Sequence, residues 1–129
     1  MKHLAVILAL LTPACMTEEG QTPRQAANQR ALVEARPVGE AQDCVQINRI
    51  RTTRVRDAQT IDFEMIDGSI LRNRLPFACP GLRFEERFSY RTSLPRLCSV
   101  DTITVLQSDG RRGASCGLGQ FQPVELPRR

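Results

Sequence analysis

"QTIDFEMIDGSILRNRL", residues 59–75, is the stretch on which the fold turns. Ile61, Phe63 and Met65 alternate with Asp62 and Glu64. Period two is the pattern of a strand with one apolar and one polar face. Asp67-Gly68 follows, and a second alternating run begins after it, which together read as a hairpin. Parity fixes the register. A two-residue Asp-Gly loop would set Phe63 against Arg72 and mix the faces. A three-residue turn, with Ile66, Asp67 and a left-handed Gly68, sets Phe63 against Leu71 and keeps one face apolar. The three-residue turn is the expected one.

The pattern extends in both directions. In "TTRVR" (52–56), Thr53 and Val55 point inward, with Arg54 and Arg56 outward. The alternation slips by one residue between Ile47 and Ile50, the mark of a bulge. Further strands are expected in "RFEERFSYR", with Phe84, Phe88 and Tyr90 on one face, in "DTITVLQ", with Ile103 and Val105 inward, and in "SCGLGQFQPVEL". Gly117 and Gly119 in the last segment suggest a sharp bend. The expectation is an all-β domain over residues 44–127, a small antiparallel barrel or sandwich of about six strands.

Five Phe, one Tyr and no Trp make a thin core for such a domain, and small domains of this kind need staples. Cys44, Cys79, Cys98 and Cys116 supply two disulfides. No CxxC pair occurs, which counts against a redox motif or zinc ribbon. In an up-and-down order, Cys44 and Cys98 fall at one end of the strands and Cys79 and Cys116 at the other. Bonded cysteines need Cα atoms within about 7 Å, so the expected pairs are Cys44–Cys98 and Cys79–Cys116.

The fifth cysteine lies near the start. Lys2 and His3 precede the apolar run "LAVILALL", and "TPAC" follows. That is the export-signal pattern, and the run is too short for a membrane span of about 20 residues. "Leu-Thr-Pro-Ala-Cys" resembles the bacterial lipoprotein signal, with Thr12 where that pattern prefers Leu. The resemblance implies a signal peptide over 1–14 and lipidation of Cys15, which leaves an even number of cysteines to pair; the alternative is ordinary cleavage after Ala14, with Thr12-Pro13-Ala14 as the small-residue site and a spare thiol at Cys15. Residues 15–43 are polar and lack aromatics. They read as a tether, with a short helix after Thr22-Pro23.

Beyond Cys15 the chain holds seventeen Arg, no Lys and no His, against fourteen Asp and Glu. The net charge of about +3 favours solubility and weak attraction to anions, not nucleic-acid binding. Four arginines crowd "RIRTTRVR" (49–56). Arg49, Arg51, Arg54, Arg56, Arg72 and Arg74 are therefore the candidate anion-binding residues. A structural reading competes. With the strand of Asp62 and Glu64 in the middle, these arginines form a ladder of cross-strand ion pairs, each worth about 0.2–1 kcal/mol.

Catalytic chemistry is poorly supplied. Without His beyond His3, a Ser-His-Asp or Cys-His arrangement is excluded, as are zinc sites with His. "GRRGASCGLG" (110–119) lacks the Gly-Lys-Ser/Thr of a phosphate loop. Asp67-Gly68-Ser69 lacks the spaced carboxylates of a calcium loop. Glu85 and Glu86 are adjacent and on a strand would face opposite ways. No catalytic residue, metal ligand or cofactor is assigned.

The succession "DCVQINRI … TIDFEMIDG … RLPFACPGL … FSYRT … RLCSVDTITVL … SCGLGQFQPV" resembles a family of small proteobacterial envelope proteins with an export signal and a four-cysteine C-terminal domain. Its most specific pieces are Cys79-Pro80-Gly81-Leu82, Leu97-Cys98 with Asp101, and Cys116 with Phe121. The resemblance implies an envelope location facing the periplasm, and it implies disulfides; with a lipid anchor, Met16 rather than Asp after Cys15 points to the outer membrane, and without one the protein is secreted to the periplasm. It carries no activity. The expected function is a non-catalytic binding or structural module whose partner is an envelope protein or an acidic polymer, with membrane attachment through lipid alone. The alternatives are an accessory subunit of envelope machinery, which an exposed apolar patch would favour, and a hydrolase using carboxylates alone, which two buried converging carboxylates would favour.

Overall fold

In the computed structural model, which describes residues 20–128, helix α1 (Pro23–Glu34) leads into strands β1 (Arg36–Pro37) and β2 (Cys44–Gln46). After a 3-10 turn at Ile47–Arg49 come β3 (Ile50–Val55), β4 (Thr60–Met65) and β5 (Ile70–Arg74). A one-turn helix, α2 (Leu82–Glu85), precedes β6 (Phe88–Tyr90), β7 (Arg96–Cys98), β8 (Thr102–Leu106), β9 (Arg112–Gly117) and β10 (Phe121–Glu125). The expected signal peptide and Cys15 lie outside the described residues.

The hairpin forms in the expected register. Phe63 stands opposite Leu71, and Gly68 adopts φ +86° at the turn. Ser69 donates to Asp67 Oδ1 through its hydroxyl (2.6 Å) and its backbone N–H (2.9 Å), which holds the Asp67 carboxyl below its ordinary value. The hairpin joins an antiparallel sheet of order β1-β10-β5-β4-β3. A second sheet, β6-β8-β9, and a two-stranded pair, β2-β7, complete the fold. The result is all-β and sandwich-like, and among the described residues no sheet closes into a barrel.

Among the described residues ten strands stand where about six are expected, for identifiable reasons. The first expected strand breaks at the 3-10 turn into β2 and β3, where the alternation slips. The last breaks between Gly117 and Phe121 into β9 and β10, which lie in different sheets. β1 falls in the expected tether and β7 between two expected strands.

Apolar faces of the sheets meet in one core. Ile61, Phe63, Leu75, Leu97, Ile103, Val105 and Phe121 are buried in it. Phe63 is its centre, edge-on to Phe121 at 5.3 Å and to Phe88 at 6.4 Å. Such edge-to-face pairs add about 0.5–1.5 kcal/mol to area burial. Phe84, expected inward on a strand, is instead on α2 and 88% exposed. Gly81, left-handed at φ +82°, starts α2 and breaks the strand pattern there.

The sheet switch is built at Gly119. Asn73, fully buried on β5, clamps it: the Asn73 amide donates to Gly119 O (2.7 Å), and the Gly119 N–H donates to Asn73 Oδ1 (2.8 Å). A Cβ at residue 119 would stand 2.2 Å from the Arg74 carbonyl oxygen, a backbone atom. Gly119→Ala must therefore move backbone. It is expected to destabilise by about 1–3 kcal/mol, the usual range for overpacking, measured by urea denaturation. An unchanged midpoint would show that the strand crossing yields freely.

Residues expected as a tether belong to the folded unit. Thr22 caps α1 in a capping box with Gln25, and Pro23 opens the helix. Ala31 is buried, β1 pairs with β10, and Gln42 bridges to Phe121. The expected boundary at residue 44 moves back to the start of α1. The segment was hard to see because it docks mainly by polar contacts, which apolar periodicity does not register.

Disulfides join Cys44 to Cys98 and Cys79 to Cys116, with Cα separations of 4.0 and 5.9 Å. The up-and-down order holds within β3-β4-β5, but β7 leaves the β6-β8-β9 sheet to pair with β2, and β10 crosses to the main sheet. The first pair still forms because β2-β7 pairing sets Cys44 opposite Cys98. Two disulfides place the chain in an oxidising compartment outside the cytoplasm. Among the described residues no helix is long and apolar enough to cross a membrane.

Candidate functional site

The polar face of the main sheet carries the arginines, and α1 lies across part of it. β4 is central, so Asp62 has Arg54 opposite it on β3 and Arg72 opposite it on β5. Arg72 donates to it twice, Nε to Oδ1 at 2.7 Å and Nη2 to Oδ2 at 2.9 Å. Arg56, one residue past β3, donates from Nε to Oδ2 at 2.8 Å. Asp62 is fully buried, and the side chains of Arg56 and Arg72 are only 8% and 13% exposed. The helix seals them: Arg56 donates to the Asn28 side chain (3.0 Å) and Arg72 to the Ala31 carbonyl (3.1 Å). The ladder expected on an open surface is thus, at Asp62, a buried triad under α1.

At Glu64 the ladder stays open. Arg54 donates at 2.8 Å and Arg51 at 3.3 Å, with both arginine side chains more than half exposed. Arg49 and Arg74 are exposed and make no ion pair among the described residues, so the ladder stops short of them. The six candidate arginines therefore split. Arg56 and Arg72 are structural, Arg51 and Arg54 remain available at the surface, and Arg49 and Arg74 stand apart.

A cleft of about 530 Å³ runs between α1 and β3. Arg54 and Arg56 line it from the sheet, Arg24 and Arg30 from the helix, and Arg128 from the C-terminal segment. Glu64 and Glu86 are its acids. Arg24 pairs with Glu86 at 2.6 Å, Arg54 with Glu64, and Arg56 with Asp62 beneath. Arg30 and Arg128 have no acidic partner among the described residues, so the cleft carries surplus positive charge. Its guanidinium forks are suited to carboxylate or phosphate oxygens.

Arg24, Arg30 and Arg128 are absent from the sequence-based candidates, because only the docked helix and the C-terminal segment bring them to β3. One signal was present: Thr22-Pro23-Arg24-Gln25 has the Thr-x-x-Gln spacing of a capping box. A capped helix presents one face at a time, so Arg24, Ala27, Asn28 and Ala31 fall together. Among the described residues no three of His, Cys, Asp and Glu come close enough to hold a metal ion. Comparison with known family models, curated proteins and solved structures returned no match.

Proposed function

We propose that this chain is an exported, lipid-anchored envelope protein whose folded domain is a non-catalytic module that binds an acidic partner in the arginine cleft. The observation that carries the reading is the cleft between α1 and β3, with five arginines facing two glutamates. The disulfides fit a periplasm-facing domain. The lipoprotein-type sequence ending at Cys15 supplies the anchor. Arg30 and Arg54 make the reachable contacts, while Arg56 and Arg72 stiffen the floor.

Calorimetric titration with poly-glutamate tests the reading. Binding is expected to weaken as salt rises, because exposed ionic contacts are screened within about 8–10 Å. Arg30→Glu with Arg54→Glu is expected to cut affinity about tenfold or more. Arg30 is exposed and unpaired among the described residues, whereas a carboxylate at position 54 meets Glu64, so the unfolding midpoint should fall modestly while the fold is kept. Binding that ignores both salt and the double substitution would dismiss the cleft as the site. The anchor is tested separately: Cys15→Ser is expected to move the protein from the membrane fraction to the soluble periplasm.

A further inference from the structure

Next to the cleft, from which it is divided by Arg24, Asn28 and Glu86, the segment after β5 turns apolar side chains outward. Phe77 is 81% and Phe84 88% exposed, although the segment between them is fixed to the core by buried Cys79 and Leu82. Pro76, Ala78 and Pro80 are exposed beside them, as are Arg74, Arg83 and Arg87. Large aromatics held rigidly in water mark an interaction surface. The start of α1 borders it: Thr22 and Gln25 line an open groove with Pro80, Arg83 and Phe84.

That border identifies the occupant. Thr22 follows Cys15 by seven residues, a span of at most about 25 Å even when fully extended. A chain anchored at Cys15 cannot carry this face far from the bilayer. Aromatic side chains with arginines around them suit the interface, the rings entering the acyl boundary and the guanidiniums meeting anionic headgroups. We infer that Phe77, Phe84 and Arg83 form a membrane-contact face that seats the domain on an anionic bilayer surface. The inference rests on the anchored reading of the protein.

The chain has no Trp, so Phe84→Trp introduces a single indole at a site whose exposure leaves the core untouched. The probe is a vesicle of phosphatidylethanolamine and phosphatidylglycerol, offered to the full exported protein and to its Cys15→Ser counterpart. Indole emission at position 84 is expected to shift to the blue and to be quenched by brominated acyl chains. Val33→Trp is the control, since Val33 is 71% exposed near the far end of α1, roughly 15 Å along the helix from Thr22. Its emission should not move. Phe77→Ser in the Phe84→Trp chain carrying Cys15→Ser is expected to lower vesicle partitioning about tenfold. An unshifted indole at position 84 in membrane-bound protein overturns the face while the anchor stands, as it would if a docking protein claims these rings. Equal shifts at 33 and 84 also overturn it. Blue-shifted emission in the Cys15→Ser chain, with a wild-type chain that proves unlipidated, keeps the face and removes the anchor.

Discussion

Asp62→Ala is expected to lower stability by about 3–5 kcal/mol, the range for removing one partner of a buried ion pair. The carboxylate accepts three guanidinium hydrogen bonds at 2.7–2.9 Å and is wholly shielded from water. Without it, Arg56 and Arg72 face each other under α1 with no counter-charge. Their partial exposure lets them relax outward, so the lower half of the range is the better expectation. At about 4–8 °C per kcal/mol for a domain near this size, the midpoint should fall by at least roughly 12 °C. The damage should reach the helix. Asn28 and the Ala31 carbonyl hold α1 through these two arginines, so hydrogen exchange in α1 should accelerate more than in β8. Replacing all three charges by apolar residues of similar size should recover much of the loss, since no buried charge is then left unpaired. If Asp62→Ala moves the urea midpoint no more than a surface substitution does, the triad is not what holds the helix down.

The same triad shows where the sequence was legible. Strand identity and the Phe63–Leu71 register follow from period-two alternation, because one buried face penalises every register error, whereas the central place of β4 enters only as the simplest chain order. The opposition of Asp62 to Arg72 follows from that register, and its opposition to Arg54 from that chain order. The burial of Asp62 does not, because it depends on α1 docking over a polar face through Asn28 and Ala31. Phe84 was misplaced for the opposite reason. It sits in phase with Phe88, but Gly81 and the Cys79 bond turn the chain into α2 before that phase counts. Of the cleft, the sheet wall could be read from "RIRTTRVR". The helix and C-terminal walls could not, since Arg30 and Arg128 join it only through tertiary contacts.

The disulfides are expected to carry a comparable share of stability, and unequally. Cys44–Cys98 closes 54 residues of separation and Cys79–Cys116 closes 37. On the chain-entropy relation both are worth about 4 kcal/mol, differing by only a few tenths. Native context decides between them. Cys44 and Cys98 stand opposite each other on β2 and β7, where the Ser99 N–H donates to the Asp43 carbonyl and the Ile47 N–H to that of Pro95. Those strands stay paired by hydrogen bonds when the sulfurs are gone. Cys79, 1% exposed, fixes the segment after β5 to β9 in the other sheet, and no strand pairing joins the two. Removing it frees that segment and opens a small void in the core. Cys79→Ala with Cys116→Ala should therefore cost more than Cys44→Ala with Cys98→Ala, within the usual 2–5 kcal/mol for one bond. Losing both bonds would remove roughly 8 kcal/mol, within the 5–15 kcal/mol total typical of a folded domain. The fully reduced protein is then expected to be largely unfolded at 37 °C. Circular dichroism with and without reductant reads the total, and urea midpoints of the two double variants give the order. Equal midpoints with and without reductant would show that the sheets hold without their staples, and a larger loss from Cys44–Cys98 would mean that β2-β7 pairing depends on its sulfur bridge.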